Sequence, residues 1–371
     1  MITLDYPFKK EILACGTRDW SGICLTKKNC GYLVNDFNKS EDETLTQYYE
    51  RRVKQLETEL KVKPKVVVHD LHPDYHTTKY ARDFSQKNNK LHCLAIQHHH
   101  AHIASCMAEN EINEVVMAVV LDNAGYGEDG NYWGGGFFVG DFKGFRRLGH
   151  LQYVPLTNGG QSLLESWRLA SGFLFQTFGE SFVDLPIDFI RRRQASDLQQ
   201  FKQNHQDTQY CSSAGSLFDA VAAIVGLREK VDYEGQGAIE LERIANRSSH
   251  VANRTYDFSI NKNKEGFLIQ LEPIFKNIVE DLKNNISRSI ISAAFYNTIT
   301  EIIKDSCQKI GKKEKINKVV LTGSIFQNKP FCASLQSLLQ NSGLEVVTHK
   351  QFYINDNSVP FGQAVIANIK K

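Results

Sequence analysis

Short apolar runs parted by turn-forming residues open the chain. Glu11-Ile12-Leu13-Ala14-Cys15-Gly16, Gly22-Ile23-Cys24-Leu25-Thr26 and Gly31-Tyr32-Leu33-Val34 have the pattern of a three-stranded meander. The period then changes. Leu45, Tyr48, Tyr49, Val53, Leu56 and Leu60 recur at helical spacing, and Lys65-Val66-Val67-Val68-His69 reads as a buried strand. A second unit opens with the β-branched run from Val115 to Leu121, too short for a helix of its own. Tyr132 to Gly140 and Phe145 to His150 follow as two glycine-punctuated strands, after which the chain reads as helical from about Ser162. Further on, Lys318 to Gly323 predicts a strand breaking into a turn, Pro330 to Asn341 a helix, Leu344 to Val347 a strand and Val359 to Lys371 a last helix. The polar segment Asn246 to Lys264 predicts an exposed loop or insertion, and Arg191-Arg192-Arg193 a solvated face.

A meander with crossovers that occurs twice predicts an α/β fold of paired lobes with a central cleft. Residues 1–113 form lobe I in this reading, with the helix 359–371 packing back on it, and 114–358 form lobe II with a helical middle.

Charge narrows the function. Lys+Arg number 44 against 42 Asp+Glu, a net of +2, which is too small to drive capture of nucleic acid or an anionic membrane. The run from Val115 to Leu121 is far shorter than the roughly 20 residues of a bilayer-spanning helix. Met1-Ile2-Thr3-Leu4-Asp5 lacks the basic start of a signal peptide, so the chain reads as cytoplasmic. The 8 cysteines contain no C-x-x-C pair and read as packing residues, Cys106 included, so neither a zinc finger nor a disulfide framework is encoded.

The sharpest local signal is Gln97-His98-His99-His100-Ala101-His102, entering a helical stretch. His98 and His102 at i, i+4 share one helix face and can bind one divalent cation or an anion, while His99 and His100 read as supporting or packing residues. Asp122, at the end of a buried strand, and Asp356, just before a helix, are placed to converge with them. Spacing does not distinguish iron, zinc or magnesium. Glycine-rich turns at Asp122 to Gly130, Asn158-Gly159-Gly160 and Leu321-Thr322-Gly323-Ser324 can cradle phosphate, although a hairpin needs glycine as well. Arg168 can hold a phosphate or pair with Glu165, and the segments around Asp219 and Glu234 read as helix starts.

Five strings in order carry a family resemblance. They are Val68-His69-Asp70-Leu71-His72-Pro73-Asp74-Tyr75, Gln97-His98-His99-His100-Ala101-His102, Ser212-Ser213-Ala214-Gly215 with Leu217-Phe218-Asp219-Ala220-Val221-Ala222, Tyr233-Glu234-Gly235-Gln236, and Gly362-Gln363-Ala364-Val365-Ile366-Ala367. Together they resemble the C-terminal transferase domain of the hydrogenase maturation carbamoyltransferases, the HypF family. The resemblance implies the two-lobed fold of actin, sugar kinases and heat-shock ATPases, with a metal and an adenylate in the cleft. It implies His98, His102, Asp122 and Asp356 as metal ligands, and Gly125, Gly159, Gly160, Arg168, Asp219, Glu234, Gly323 and Asn328 as contacts to ATP or carbamoyl-adenylate.

The implied reaction carries the carbamoyl group from carbamoyl-adenylate to the C-terminal cysteine of a HypE-like partner. The sequence starts directly at the transferase part, so a separate YrdC-like protein is the expected source of the adenylate. Several phosphate turns depart from the family pattern: Trp20-Ser21-Gly22 stands for Lys-Asn-Thr, Gln161 for Asp, Ser216 for Arg, Ser324 for Gly, and Asn357-Ser358 for Gly-Gly. Each lost charged contact removes about 1.5–3 kcal/mol of binding. Two other functions stay open: O-carbamoyl transfer to a small-molecule hydroxyl, and a non-catalytic metal-binding scaffold.

Overall fold

The computed structural model describes all residues except 19–21, 36–37, 89–90, 158–161, 195–196, 199–208, 234, 246–253, 265, 353 and 371. The first half runs β1 (Ile2–Asp5), β2 (Ile12–Ala14), β3 (Ile23–Lys27), β4 (Cys30–Val34), α1 (Leu45–Leu60), β5 (Val66–Asp70), α2 (His76–Lys87), β6 (His92–Ile96) and α3 (His98–Glu109). The second begins with β7 (Val116–Tyr126), β8 (Tyr132–Asp141), β9 (Gly144–Leu151), β10 (Val154–Pro155), α4 (Ser166–Phe178), α5 (Asp188–Arg191), β11 (Tyr210–Cys211), α6 (Ala214–Ile224) and α7 (Gln236–Ala245). It continues through β12 (Ser259–Lys262), β13 (Phe267–Gln270), α8 (Glu272–Lys283), α9 (Arg288–Glu314), β14 (Lys318–Thr322), α10 (Lys329–Asn341), β15 (Glu345–Val347) and α11 (Val359–Ile369).

Two sheets repeat one plan. In the first the order is β1-β4-β3-β2-β5-β6, and in the second it is β12-β13-β9-β8-β7-β14-β15. Each contains an antiparallel meander, β4-β3-β2 or β9-β8-β7, followed by two parallel strands, β5-β6 or β14-β15. Alternation along the strands explains why the runs are apolar throughout. Val66 and Val68 face one core while Val67 faces another, and Val116, Ala118 and Val120 part in the same way from Met117, Val119 and Leu121. A strand covered on both faces has no polar side to show.

The layers follow from those cores. α1 and α2 cover the outer face of the first sheet through Tyr48, Tyr49, Val53, Leu56 and Tyr80. α3 and α11 fill the space between the sheets, with Ile103, Met107, Phe361 and Val365 in one core. α4, α6, α8 and α9 cover the far face of the second sheet. α11 also touches the first sheet directly: the Gln363 amide donates to the Gly16 carbonyl and accepts from the Gly16 N–H, both at 2.9 Å. This is the paired-lobe α/β architecture of actin, sugar kinases and heat-shock ATPases.

Some sequence expectations need revision. Ser259–Lys262, read as part of an exposed loop, forms an edge strand because Phe267 and Ile269 on its partner are buried. Residues 246–253 of that segment lie outside the described residues. Arg193 is not on a solvated face. It lies 3.9 Å over the Trp167 ring and pairs with Glu229 at 2.7 Å. No helix among the described residues is long and apolar enough to cross a membrane.

Candidate metal centre and cleft

Functional side chains gather where the strands end, the usual place for ligands in open α/β sheets. β5 ends at Asp70, β6 leads through Gln97 into α3, β7 carries Asp122 near its end, and β14 runs into Gly323 and Ser324. Gln97 starts α3 by accepting from the His100 N–H, and its side-chain amide donates to the Tyr126 carbonyl at 3.2 Å. The histidine turn is thereby fastened to the second sheet.

His98, His102, Asp122 and Asp356 offer one donor atom each, all within 4.8 Å of one another. His98 Nε2 lies 3.2 Å from His102 Nε2, 3.3 Å from Asp122 Oδ2 and 3.5 Å from Asp356 Oδ1. His102 Nε2 lies 2.9 Å from Asp122 Oδ2 and 3.5 Å from Asp356 Oδ1. An ion with tetrahedral arms of about 2.1 Å spaces its ligands by about 3.4 Å, so these separations fit one cation. Two imidazole nitrogens that face each other this closely need a proton or a cation between them. Two imidazoles and two carboxylates form a donor set for a divalent ion, whose charge the carboxylates would neutralise.

Burial and charge oppose each other in this cluster. Burial pushes His98 and His102 toward the neutral form, but Asp122 and Asp356, joined for His98 by Asp70, outweigh it and hold both above the ordinary imidazole range. Burial likewise disfavours the charged carboxylates, yet the two imidazoles keep Asp122 and Asp356 below the usual range. Cation binding would displace protons from the cluster.

Neighbouring groups fix three of the four ligands. Asp70, fully buried, places Oδ2 2.9 Å from His98 Nδ1 and accepts the His72 N–H on Oδ1 at 3.1 Å. That bond commits His98 Nδ1 and turns Nε2 toward the other donors. Asp122 Oδ1 accepts from the Ser324 N–H at 2.9 Å and hydroxyl at 2.6 Å. Asp356 opens the 3-10 turn Asp356–Ser358, and the segment before it is tied to the end of α3. There Glu109 accepts the N–H groups of Lys350, Gln351 and Phe352, while its second oxygen meets His349 Nδ1 at 2.8 Å. Replacing Asp70 by asparagine is expected to weaken divalent-cation affinity by about 10–100-fold with the fold intact. Chelator competition alongside circular dichroism checks this, and unchanged affinity would deny Asp70 its role.

Next to the centre opens a cleft of about 670 Å³, lined by Arg18 and Asn123 on one side, by Tyr233, Gly235, Ile239 and Glu242 around α7, and by Ser324, Gln327, Asn328 and Asp356. Of the residues expected to touch adenylate, Asn328 lines this space. Gly323, at φ 107°, makes the turn beneath it, where a Cβ would sit 2.4 Å from the Leu121 carbonyl oxygen. Gly125 packs on the histidine turn, where a Cβ would lie 2.8 Å from His98. Asp219 and Arg168 are not among the lining residues. Asp219 is buried and accepts the Gly235 and Gly237 N–H groups at 3.1 and 2.7 Å, shaping the loop before α7, and Arg168 pairs with Glu165. Gly159, Gly160 and Glu234 lie outside the described residues, as do Trp20, Ser21 and Gln161. Sequence reasoning gave Asp70 and Arg18 no role of their own, and read Ser324 as part of a phosphate turn rather than as the support of Asp122. The signal for Asp70 was its position at the end of an apolar strand.

Residues 7–109 match the family described as "HypF Kae1-like domain", and 118–363 match "Carbamoyltransferase, Kae1-like Domain, second subdomain". The Carbamoyltransferase HypF of Synechocystis sp. is 30% identical over 98% of the chain and 48% of its own length. A Carbamoyltransferase HypF homolog of Cupriavidus necator is 28% identical over 96% of the chain and 91% of its own length. The crystal structure of a full-length HypF in phosphate- and nucleotide-bound form superposes with a TM-score of 0.88, at 36% identity over 99% of the chain and 56% of that protein. T. kodakarensis HypF gives 0.84 at 25% identity over 99% of the chain and 48% of that protein. The chain thus spans about half the length of most of these relatives. Two family matches laid end to end, on a fold shared over nearly every residue, place the chain in the HypF carbamoyltransferase family, as its Kae1-like part.

Proposed function

We propose that the cleft holds carbamoyl-adenylate and that the chain passes its carbamoyl group to a protein thiol, the C-terminal cysteine of a HypE-like acceptor, in [NiFe]-hydrogenase maturation. The observation that carries this reading is the four-donor cluster at the rim of a cleft within the roughly 300–1,000 Å³ of ligand sites. His98, His102, Asp122 and Asp356 would hold the divalent cation. When bound, that cation offers a positive charge to the oxygen atoms of the adenylate. The chain's own residues do the rest. Asp70 and Ser324 keep His98 and Asp122 in place, while Tyr233, Ile239 and Asn328 offer apolar surface and an amide to a nucleoside.

Acyl transfer also needs a thiolate, and this chain's cysteines are poorly suited. Cys15, Cys24, Cys106 and Cys307 are fully buried, and burial holds their thiols far above the ordinary range. Among the described residues that line the cleft there is no cysteine, so in this reading the nucleophile comes from the partner. The adenylate would come from a YrdC-like activity, on the same or another polypeptide.

Calorimetric titration of the cation-loaded protein with ATP and with a non-hydrolysable carbamoyl-adenylate analogue tests the reading. Micromolar binding, near −8.2 kcal/mol, that is lost together with the cation in Asp122→Ala is expected. Absence of binding by either ligand would overturn it.

A further inference from the structure

Among the described residues that line the cleft, Arg18 is the one cation, and Asp356 and Glu242 are the carboxylates. We infer that Arg18 holds the anionic phosphoryl oxygens of the cleft's ligand, and that it does so from the first sheet across to the second. This inference rests on the nucleotide reading above and adds to it the group that makes the cleft select a charged ligand over a neutral one.

Charge balance asks for such a group. The carboxylates of Asp122 and Asp356 would cancel a divalent cation, and Glu242 adds further negative charge. A phosphoryl ester entering that site needs a positive partner in the cleft wall. A guanidinium supplies it with a planar fork of N–H donors that matches phosphate oxygens in pairs.

Geometry puts the guanidinium at the right edge. Its Nη2 donates to the Ala124 carbonyl at 2.7 Å, two residues beyond Asp122 on β7. Its charge reaches His72 as well, adding to the burial that keeps that imidazole below its ordinary range. The backbone behind it is held firmly. Gly16 is clasped on both its N–H and its carbonyl by the Gln363 amide, and the chain then passes Arg18 in a left-handed conformation, φ 39°. A left-handed non-glycine residue carries a steric cost, and such residues collect at ligand sites. The outcome is a side chain rooted in the turn after β2 whose charged end rests on the second sheet.

The test compares AMP with adenosine on the cation-loaded protein by calorimetry, in the natural sequence, Arg18→Met and Arg18→Lys. The natural sequence is expected to bind AMP at least tenfold more tightly than adenosine. Arg18→Met is expected to lose that preference while its adenosine affinity stays within twofold, and Arg18→Lys to restore part of it. If Arg18→Met keeps the preference, or loses both ligands in parallel, Arg18 is a structural strut and the inference is overturned. Equal affinity for both ligands in the natural sequence also sinks it, with the nucleotide reading left standing. Binding of neither ligand sinks both.

Discussion

Replacing Asp122 by alanine is expected to leave the protein without bound divalent cation after dialysis, against one ion per natural chain. Asp122 is 1% exposed and is the most firmly fixed of the four donors. One of its oxygens meets His102 Nε2 at 2.9 Å and His98 Nε2 at 3.3 Å, and the other takes two hydrogen bonds from Ser324. Removal takes away a ligand and leaves the Ser324 N–H and hydroxyl, at the wall of the cleft, without their carboxylate partner. His98→Ala and His102→Ala are expected to behave alike. Asp356→Ala should weaken binding without abolishing it, because its side chain is 34% exposed at the cleft mouth and water can take its place. Elemental analysis of dialysed proteins checks the series, with the exposed His92→Ala as control. Full metal content in all three buried variants would remove the centre from the mechanism.

A single methyl group that replaces no donor atom should do comparable damage. Gly362 on α11 crosses α3 so closely that a Cβ there would sit 1.8 Å from the Ala101 carbonyl oxygen and 2.6 Å from its carbon. Both are backbone atoms, in the turn of α3 between His98 and His102. α3 cannot retreat, since its other side packs on β7 and β14. Overpacking a core usually costs about 1–3 kcal/mol, and a backbone clash this short belongs at or above the top of that range. Gly362→Ala is therefore expected to lower the melting temperature and cation affinity together. Gly144→Ala, whose Cβ would meet nothing within 4 Å, should melt within error of the natural sequence. Thermal unfolding followed by circular dichroism decides it, and a Gly362→Ala protein that melts normally would contradict the close crossing.

The strands that proved easiest to read are those buried on both faces, because Val66-Val67-Val68 and Val116 to Leu121 leave nothing polar to confuse the period. α2 was illegible for the opposite reason. Its buried face is Thr77, Thr78, Tyr80, Ala81 and Ser85, small and polar residues that give no apolar stripe. β6 shows the same problem, since only Ile96 of its five residues is buried. At the site, helical spacing paired His98 with His102, while the place of Asp122 and Asp356 beside them came from strand and helix ends and from the family resemblance. Asp70 and Arg18 act through contacts with residues 28 and 106 positions away, and no local pattern carries that information.

The clasp between Gln363 and Gly16 joins residues 347 positions apart. The inner face of the first sheet thus stays uncovered until the chain has supplied α11, almost the whole sequence later. Contacts of such separation are slow to form, since their loop must close before they stabilise anything. A fragment ending after α3 would have the strands of the first sheet but not their cover, and would expose Ile12, Ala14, Val66 and Val68 to association. The ligand helix, the first turn and α11 are therefore expected to lock together late in folding.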